Sequence, residues 1–289
     1  MNPTFYRRSY KFRDGTGLEL GQRTLIMGIL NATPDSFSDG GRYNEAEAAA
    51  ARAGQMASEG ADLIDIGGES TRPGHDPISA EEELARVLPV IRAVKARVKL
   101  PISVDTYKAE TARQALEAGA HILNDVWGFK RDPELARVAA EFGCPVILTH
   151  NRDNRDYRDF MADALNDLRE SVRIAREGGV ADENIWLDPG MGFAKDYEEN
   201  LEMMGRLEEV VALGYPVLLA ASRKRFIQRA LGVTADEAAE GTGATTALGI
   251  AQGCQMVRVH DVRLSKRVAL MADAIFYRNE AGRGAGANG

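Results

Sequence analysis

The 289-residue chain is poor in cysteine. Only Cys144 and Cys254 occur, and neither belongs to a Cys-x-x-Cys pattern. This scarcity argues against a disulfide framework or a zinc site and favours a reducing cytoplasm. We interpret both cysteines as small core residues.

Long apolar runs and an excess of positive charge are also missing. No apolar run approaches the roughly 20 residues that a bilayer-spanning helix needs, and Met1–Phe12 lacks the apolar stretch of a secretory signal. The net charge of −7 argues against nucleic acid or a membrane as partner. Any anion site must therefore come from local groups of basic residues.

What the chain does contain is a repeated unit of apolar run, polar loop and amphipathic helix. Eight short apolar runs predict strands. The runs are Thr24–Leu30, Asp62–Ile66, Pro101–Val104, His121–Leu123, Pro145–Thr149, Asn184–Leu187, Pro216–Leu219 and Met256–Val259. Strands that alternate with helices of about 10–15 residues indicate parallel βαβ units.

Eight such units predict the α/β class and a (β/α)8 TIM barrel rather than an open sheet. An open dinucleotide-binding sheet would favour a Gly-x-Gly-x-x-Gly turn after its first strand, and that pattern is missing there. We expect one domain over residues 1–289, with the barrel at about 24–279 and a flexible tail at 282–289.

The segments around these strands predict a hairpin and a series of helices. Tyr6–Leu20, with a turn at Asp14-Gly15, is typical of a short β-hairpin, which could cover the barrel bottom. Ser79 followed by Glu82 predicts a helix start. The other predicted helices are Asn44–Glu59, Lys108–Ala118, Asp132–Phe142, Asp159–Glu177, Glu198–Ala212, Lys224–Leu231, Thr242–Gln252 and Leu264–Tyr277.

Polar residues lie at or just after the end of every predicted strand. They are Asn31, Asp65, Asp105, Asn124, His150, Asp188, Ser222 and the pair Arg258 and His260. A single Asp in such a place could equally cap a helix. Eight in succession favour an active site, because barrel enzymes draw catalytic residues from the C-terminal ends of several strands.

The chemistry of these residues separates into two types. Asp105, Asn124 and Asp188 offer carboxylate and amide groups that suit a flat heterocycle with amino and ring N–H donors. Alternatively, one of these two aspartates forms a structural ion pair with Lys224.

Basic residues form the second type. Arg258 and His260 alternate along the last strand, so they share one face and suit a phosphate. Lys224 lies in the basic run 222–225 at a helix start, which predicts an anion site or, alternatively, a solvated turn. The Gly-rich stretch 67–74 predicts a mobile binding loop.

Four other side chains have weaker interpretations. His75 is expected on a loop surface, and His121 starts a strand at the end opposite the predicted site, which favours a structural role. Trp127 is a candidate either for a ring pocket or for core packing, as is Phe193.

Seven motifs resemble the bacterial dihydropteroate synthase family, pterin-binding barrel enzymes of folate synthesis. The two longest are MGILNATPDSFSDGG at 27–41 and DIGGESTRPG at 65–74. The others are SVDT at 103–106, ND at 124–125, LDPG at 187–190, SRK at 222–224 and RVHD at 258–261. The resemblance runs from about residue 24 to 277.

The resemblance implies a transferase that joins (7,8-dihydropterin-6-yl)methyl diphosphate to 4-aminobenzoate in an SN1-like substitution. It implies a Mg²⁺ cofactor and a homodimer. The implied pterin residues are Asp105, Asn124, Asp188 and Lys224, and the implied diphosphate residues are Asn31, Arg258 and His260. The implied metal ligands are Asn31 and Asp35. The implied aminobenzoate residues are Thr71, Arg72, Pro73, Phe193 and Ser222. The residues expected to act in catalysis are Asp105, Asp188, Lys224 and Arg258.

Three positions depart from the family pattern. Ala220-Ala221 stands where the family usually has a glycine, which predicts a narrower pterin pocket. Arg225 replaces a usual serine, and Thr149 a common methionine. These departures bear on sensitivity to sulfonamides more than on activity.

Two other functions share parts of this pattern. A methyltetrahydrofolate-dependent methyltransferase needs the pterin residues, but it does not need the diphosphate residues or the Thr-Arg-Pro-Gly loop. A catalytically silent pterin-binding protein has no reason to keep Asn31, Asp35, Arg72 and Lys224. The motifs assign no role to His150, and we expect Asp65 to brace the second loop.

Overall fold

The computed structural model describes residues 5–32, 41–70 and 76–277, apart from the side chains of residues 41–44. Ten strands are present in this part of the chain. They are β1 (Arg8–Lys11), β2 (Gly17–Leu20), β3 (Leu25–Asn31), β4 (Leu63–Gly67), β5 (Ile102–Asp105), β6 (Ile122–Asp125), β7 (Val146–Thr149), β8 (Ile185–Asp188), β9 (Leu218–Leu219) and β10 (Met256–Val259). All eight predicted barrel strands are confirmed to within about two residues at each end.

Strands β3 to β10 form one parallel sheet in the order β8-β7-β6-β5-β4-β3-β10-β9. The two ends of this sheet meet at a parallel bridge between Leu187 and Val217. There the amide of Leu187 donates to the carbonyl of Pro216 at 2.9 Å. The sheet is therefore a nearly closed barrel, and the predicted (β/α)8 fold is confirmed.

Ten helices surround the strands in the described part of the chain. They are α1 (Gly41–Glu59), α2 (Ala80–Arg97), α3 (Ala109–Ala118), α4 (Glu134–Phe142), α5 (Phe160–Glu177), α6 (Tyr197–Gly205), α7 (Leu207–Val211), α8 (Arg225–Leu231), α9 (Ala239–Ala251) and α10 (Val262–Phe276). Ser79 caps α2 as predicted, because its side chain accepts from the amide of Glu82 at 3.1 Å.

One predicted helix is wrong. The segment Glu198–Ala212 is two helices, α6 and α7, that separate at Arg206. Arg206 has φ −129° and ψ 26°, outside the helical region. It follows Gly205, whose backbone freedom makes a helix interior weak.

The N-terminal hairpin is confirmed, with β1 and β2 antiparallel. Tyr10, Leu18 and Leu20 pack in one cluster with inward-facing barrel residues. The hydroxyl of Tyr10 accepts from Trp186 Nε1 at 2.9 Å and donates to the carbonyl of Glu183 at 2.8 Å. The hairpin therefore covers the bottom of the barrel.

His121 contributes to the same end of the barrel. Its Nδ1 accepts from the amide of Ile102 at 3.0 Å, and its Nε2 lies 3.0 Å from Asp14 Oδ2 in the hairpin turn. The predicted structural role of His121 is confirmed. Within the described residues, no helix combines the length and the apolar character that crossing a membrane requires.

Candidate active site

Alternate residues on each barrel strand face the barrel interior. On β3, for example, Leu25 and Met27 belong to the inner cluster, whereas Ile26 and Leu30 belong to the outer core under the helices. Continuing this alternation to the C-terminal end brings one set of polar side chains to the barrel mouth. The set is Asn31, Asp65, Asp105, Asn124, Asp188, Ser222, Arg258 and His260.

His150 does not belong to this set. Val146 and Leu148 lie in the outer core, and His150 continues their side of the chain. Its ring is fully buried, and its Nε2 lies 3.0 Å from Asp167 Oδ2 on α5. The inference that the polar residue after every strand marks the site is therefore wrong at β7. The inward residue there is Thr149.

Four side chains from different strands meet inside the mouth. Arg258 donates from Nε to Asp65 Oδ2 at 2.6 Å and from Nη2 to Asp105 Oδ2 at 2.8 Å. Asn124 Nδ2 also donates to Asp65 Oδ2, at 3.2 Å. Asp65 was expected to brace the second loop, but its carboxylate instead holds two residues of the site.

The carboxylates of Asp65 and Asp105 can each accept further hydrogen bonds. Asp65 Oδ1 and Asp105 Oδ1 are buried and have no hydrogen-bond partner among the described residues. Burial raises the pKa of Asp105 to about 7, with Arg258 opposing the rise and Asp65 adding to it. Burial alone would lower the pKa of Arg258, but the two carboxylates hold it above its usual value.

Asp188 lies at the end of β8 and is 3% exposed. Its Oδ1 accepts from the amide of Gly190 at 2.7 Å. Burial raises the pKa of Asp188 to about 6, although this amide and the charge of Lys224 favour the anion. Asp188 and Asp105 are thus two buried carboxylates that a ligand with N–H donors would stabilise.

Ser222 and His260 are joined across the ends of the last two strands. Ser222 Oγ lies 3.0 Å from His260 Nδ1 and accepts from the backbone amide of His260 at 3.2 Å. Arg52 on α1 donates to the carbonyl of His260 at 3.2 Å. These contacts fix the His260 ring beside Ser222.

The basic run at 222–225 does not act as one cluster. Arg223 has φ +56° and donates to Asp236 at 2.9 Å. Lys224 Nζ lies 4.3 Å from the centre of the Phe193 ring, which is a cation–π contact. Arg225 is exposed at the start of α8.

Sequence reasoning missed Lys195, which is 9% exposed in the loop after β8. Its Nζ donates to the carbonyls of Gly190 and Phe193 at 3.0 and 3.1 Å, and lies 2.6 Å from His150 Nδ1. Burial lowers the pKa of Lys195 to about 7. A lysine in a polar loop gives no sequence signal for such burial.

Several expected site residues lie outside the described residues. They are Asp35, Thr71, Arg72 and Pro73, together with His75 and the predicted tail at 282–289. Trp127 is half-buried, with the guanidinium of Arg131 4.0 Å from its ring centre. Among the described residues, no group of three or more His, Cys, Asp or Glu side chains could hold a metal ion.

Comparison with known proteins agrees with this geometry. Residues 27–260 match the family of pterin binding enzymes. The dihydropteroate synthase of Clostridium beijerinckii is 54% identical over 260 residues, which cover 90% of this chain and 97% of that protein.

Two solved structures are similar in fold as well as in sequence. The dihydropteroate synthase of Clostridium difficile, solved in the presence of pteroic acid, has a TM-score of 0.86 and 49% identity, covering 88% of this chain and 97% of that one. That of Xanthomonas albilineans, solved with 4-aminobenzoic acid, has a TM-score of 0.86 and 38% identity, covering 98% and 100%.

The family model covers most of the chain, and the relatives match it over nearly their whole length. The chain belongs to the dihydropteroate synthase family of pterin-binding transferases.

Proposed function

We propose that the chain joins (7,8-dihydropterin-6-yl)methyl diphosphate to 4-aminobenzoate, forming 7,8-dihydropteroate and diphosphate. The observation that carries the proposal is the buried, unused acceptor capacity of Asp65 and Asp105, which find no donor for Oδ1 among the described residues. A buried acceptor without a donor is costly, so a ligand that supplies N–H groups gains free energy there.

The pterin ring fits the carboxylates and the amide of the mouth. Its amino and ring N–H groups would donate to Asp105 and Asp188, while Asn124 is held by Asp65 to present its amide. An analogue that lacks these donors would leave buried charge unpaired, which gives strong discrimination. Lys224 would lie at the edge of the ring, over Phe193.

The diphosphate would bind at Asn31, Arg258 and His260. Arg258 brings a guanidinium with a raised pKa, and His260 is fixed by Ser222. Both groups can donate to phosphate oxygens.

A magnesium ion fits this end of the site if the protein and the substrate both supply ligands to it. Asn31 ends β3 on the inward side of the barrel and is exposed, so its side chain can reach a ligand in the mouth. Protein-bound Mg²⁺ often has only one or two protein ligands, the rest being water and substrate phosphates. We propose Asn31 and Asp35 as those ligands. When bound, the ion would neutralise charge on the departing diphosphate.

The reaction we propose is dissociative. The C–O bond at the pterin methylene breaks, and diphosphate leaves with the electron pair. Positive charge spreads from the methylene carbon into the ring, where the carboxylates of Asp105 and Asp188 stabilise it. The amine of 4-aminobenzoate then forms the C–N bond and passes a proton to water or to the released diphosphate. A neutral aryl amine needs little activation, so no residue is required as its base.

The aminobenzoate would lie against Phe193 and Ser222, near Lys224. We propose that Thr71, Arg72 and Pro73 complete this pocket. Arg225 is exposed one residue after Lys224, so its charge would favour the carboxylate of the second substrate.

We also propose a homodimer in the cytoplasm. Neighbouring helices α9 and α10 expose Leu248, Leu270, Met271 and Ile275 by 52–64%. Such an apolar face is typical of a subunit interface. Sedimentation should give a dimer for the chain, and Met271→Glu should give a monomer. A monomeric wild-type chain would refute the dimer. The free thiols of Cys144 and Cys254 support a reducing location.

One assay tests the reaction. The purified chain is mixed with the pterin diphosphate and magnesium, with or without 4-aminobenzoate, and diphosphate release is measured. We expect release that depends on 4-aminobenzoate. Pterin binding without such release would instead support a silent binding protein, and methyl transfer from methyltetrahydrofolate would support the methyltransferase.

A further inference from the structure

Lys195 is a buried amine that serves the active-site loop rather than the substrate. The loop from Gly190 to Phe193 connects Asp188, which ends β8, to the ring that lies under Lys224. The ammonium group of Lys195 donates to the carbonyls of Gly190 and Phe193, at the two ends of this loop. It therefore joins the start and the end of the turn that carries the Phe193 ring.

The third contact of the Lys195 amine is with His150. Nζ lies 2.6 Å from His150 Nδ1, and His150 Nε2 lies 3.0 Å from Asp167 Oδ2. Since an ionised carboxylate can only accept, the neutral ring carries its proton on Nε2, and Nδ1 accepts from Lys195. Burial and the charge of Lys195 lower the pKa of His150 to about 3, in agreement with a neutral ring.

Asp167 ends this series of hydrogen bonds with a charge held by Arg152. Arg152 donates to both oxygens of Asp167, from Nε at 2.5 Å and from Nη2 at 3.2 Å. Burial would raise the pKa of Asp167, but the bonds from His150 and Arg152 lower it to about 2. The buried amine of Lys195 is thus connected to an ionised carboxylate through a neutral imidazole.

The loop is packed too closely to find another arrangement cheaply. Gly190 has φ +69°, and a Cβ there would lie 1.9 Å from the carbonyl oxygen of His150. The amide of Gly192 donates to Asn200 Oδ1 at 2.7 Å, and the carbonyl of Ala194 accepts from Tyr157 at 2.8 Å. The turn is therefore held from α6, from the segment before α5 and, inside, by Lys195.

We infer that Lys195 is a positioning residue for the aryl amine: its buried amine, held in place by His150 and Asp167, fixes the Phe193 turn in the aminobenzoate pocket. The inference rests on the proposed function, because it assigns Phe193 to that pocket. Asp105, Asn124 and Asp188 lie on strands, and among the cations that favour the anion of Asp188, Lys195 contributes less than Lys224 and Arg258. Pterin binding should therefore depend on Lys195 much less than amine binding does.

The test compares Lys195→Met with Lys266→Met. Lys266 is half-buried on α10, and its Nζ lies 3.6 Å from Asp62 just before β4, at the end of the barrel opposite the mouth. For each variant we would measure KM for 4-aminobenzoate, kcat, and the Kd of a dihydropterin by calorimetry. Lys195→Met should raise KM for the amine about tenfold or more and change the pterin Kd less than about threefold, as expected of a preorganisation effect. Lys266→Met should change neither quantity.

Two results from a folded Lys195→Met would overturn the inference. One is a KM within about twofold of the wild type, and the other is an equal rise in KM and in the pterin Kd, which marks a general packing defect. If the wild type itself shows no amine-dependent turnover, the proposed function fails and not this inference alone.

Two further measurements serve if Lys195→Met does not fold. Asp167→Asn keeps the shape of the side chain but removes its charge, and should raise KM for the amine about threefold; an unchanged KM contradicts the inference. Nitrogen-15 spectra of histidine-labelled wild type should show His150 neutral with the proton on Nε2. A proton on Nδ1 would overturn the series of hydrogen bonds.

Discussion

Arg258 and Asp105 form an ion pair across the barrel mouth, with Nη2 of Arg258 2.8 Å from Oδ2 of Asp105. The same guanidinium binds Asp65 through Nε at 2.6 Å. Two carboxylates therefore share one cation, and each keeps a buried oxygen that no described residue satisfies. The arrangement is incomplete without a ligand that donates hydrogen bonds.

Removing the shared cation should destabilise the fold. Arg258→Met leaves both carboxylates buried without their partner, and we expect the free energy of unfolding in urea to fall by about 3 kcal/mol near neutral pH. Adding Asp65→Asn should recover part of this loss, since one charge disappears. An unchanged unfolding free energy for Arg258→Met would show that the pair contributes nothing.

Asp188→Asn should stabilise the folded chain while weakening pterin binding. Burial raises the folded-state pKa of Asp188 to about 6, above its unfolded value, so the wild type loses stability as pH rises between these values. The variant should gain about 1–3 kcal/mol above pH ~6 and nothing below pH ~4. Urea unfolding at both pH values checks this, and a loss of stability at neutral pH would contradict it.

Pterin affinity should increase with pH. The charges of Lys224, Arg258 and Lys195 favour the anion of Asp188, and the anion is the better acceptor of N–H groups. The Kd of a dihydropterin should therefore fall as pH rises from about 5 to about 7, by up to tenfold per unit below the pKa. In Asp188→Asn, only the part of this pH dependence that comes from Asp105 should remain. Calorimetry across this pH range measures the Kd, and tighter binding at low pH would refute the prediction.

Tyr10→Phe should change stability at the barrel bottom without changing the activity of the site. The change removes the acceptor of Trp186 Nε1, which is buried. The free energy of unfolding should fall by about 1–2 kcal/mol. KM and kcat should stay unchanged, because the hairpin lies at the end of the barrel opposite the mouth. A change in KM would mean that the hairpin influences the site.

The strands, the hairpin and most of the polar residues at the barrel mouth could be predicted from the sequence because they depend on local patterns. Apolar runs and polar strand ends are local, and the inward set follows from a period of two. The same period excludes His150, since Thr149 continues the inward side of β7. The prediction is wrong there because it treated all strand-end residues alike and ignored which side of the strand each one faces.

Contacts between distant segments were beyond prediction. Asp65 was expected to brace its own loop, but it binds Arg258, which is 193 residues away. Lys195 is buried because its loop folds onto His150, 45 residues earlier. The break between α6 and α7 depends on one residue, Arg206, that leaves the helical region.

The most direct test of the account is the pterin affinity of Asp105→Asn. The variant keeps the size of the side chain but replaces one acceptor oxygen by a donor and removes the charge that the pterin N–H groups need. Calorimetry at about pH 8 should show a dihydropterin Kd at least about a hundredfold weaker than that of the wild type. A Kd within about threefold of the wild type would contradict the claim that the unused carboxylate oxygens of the mouth recognise the pterin.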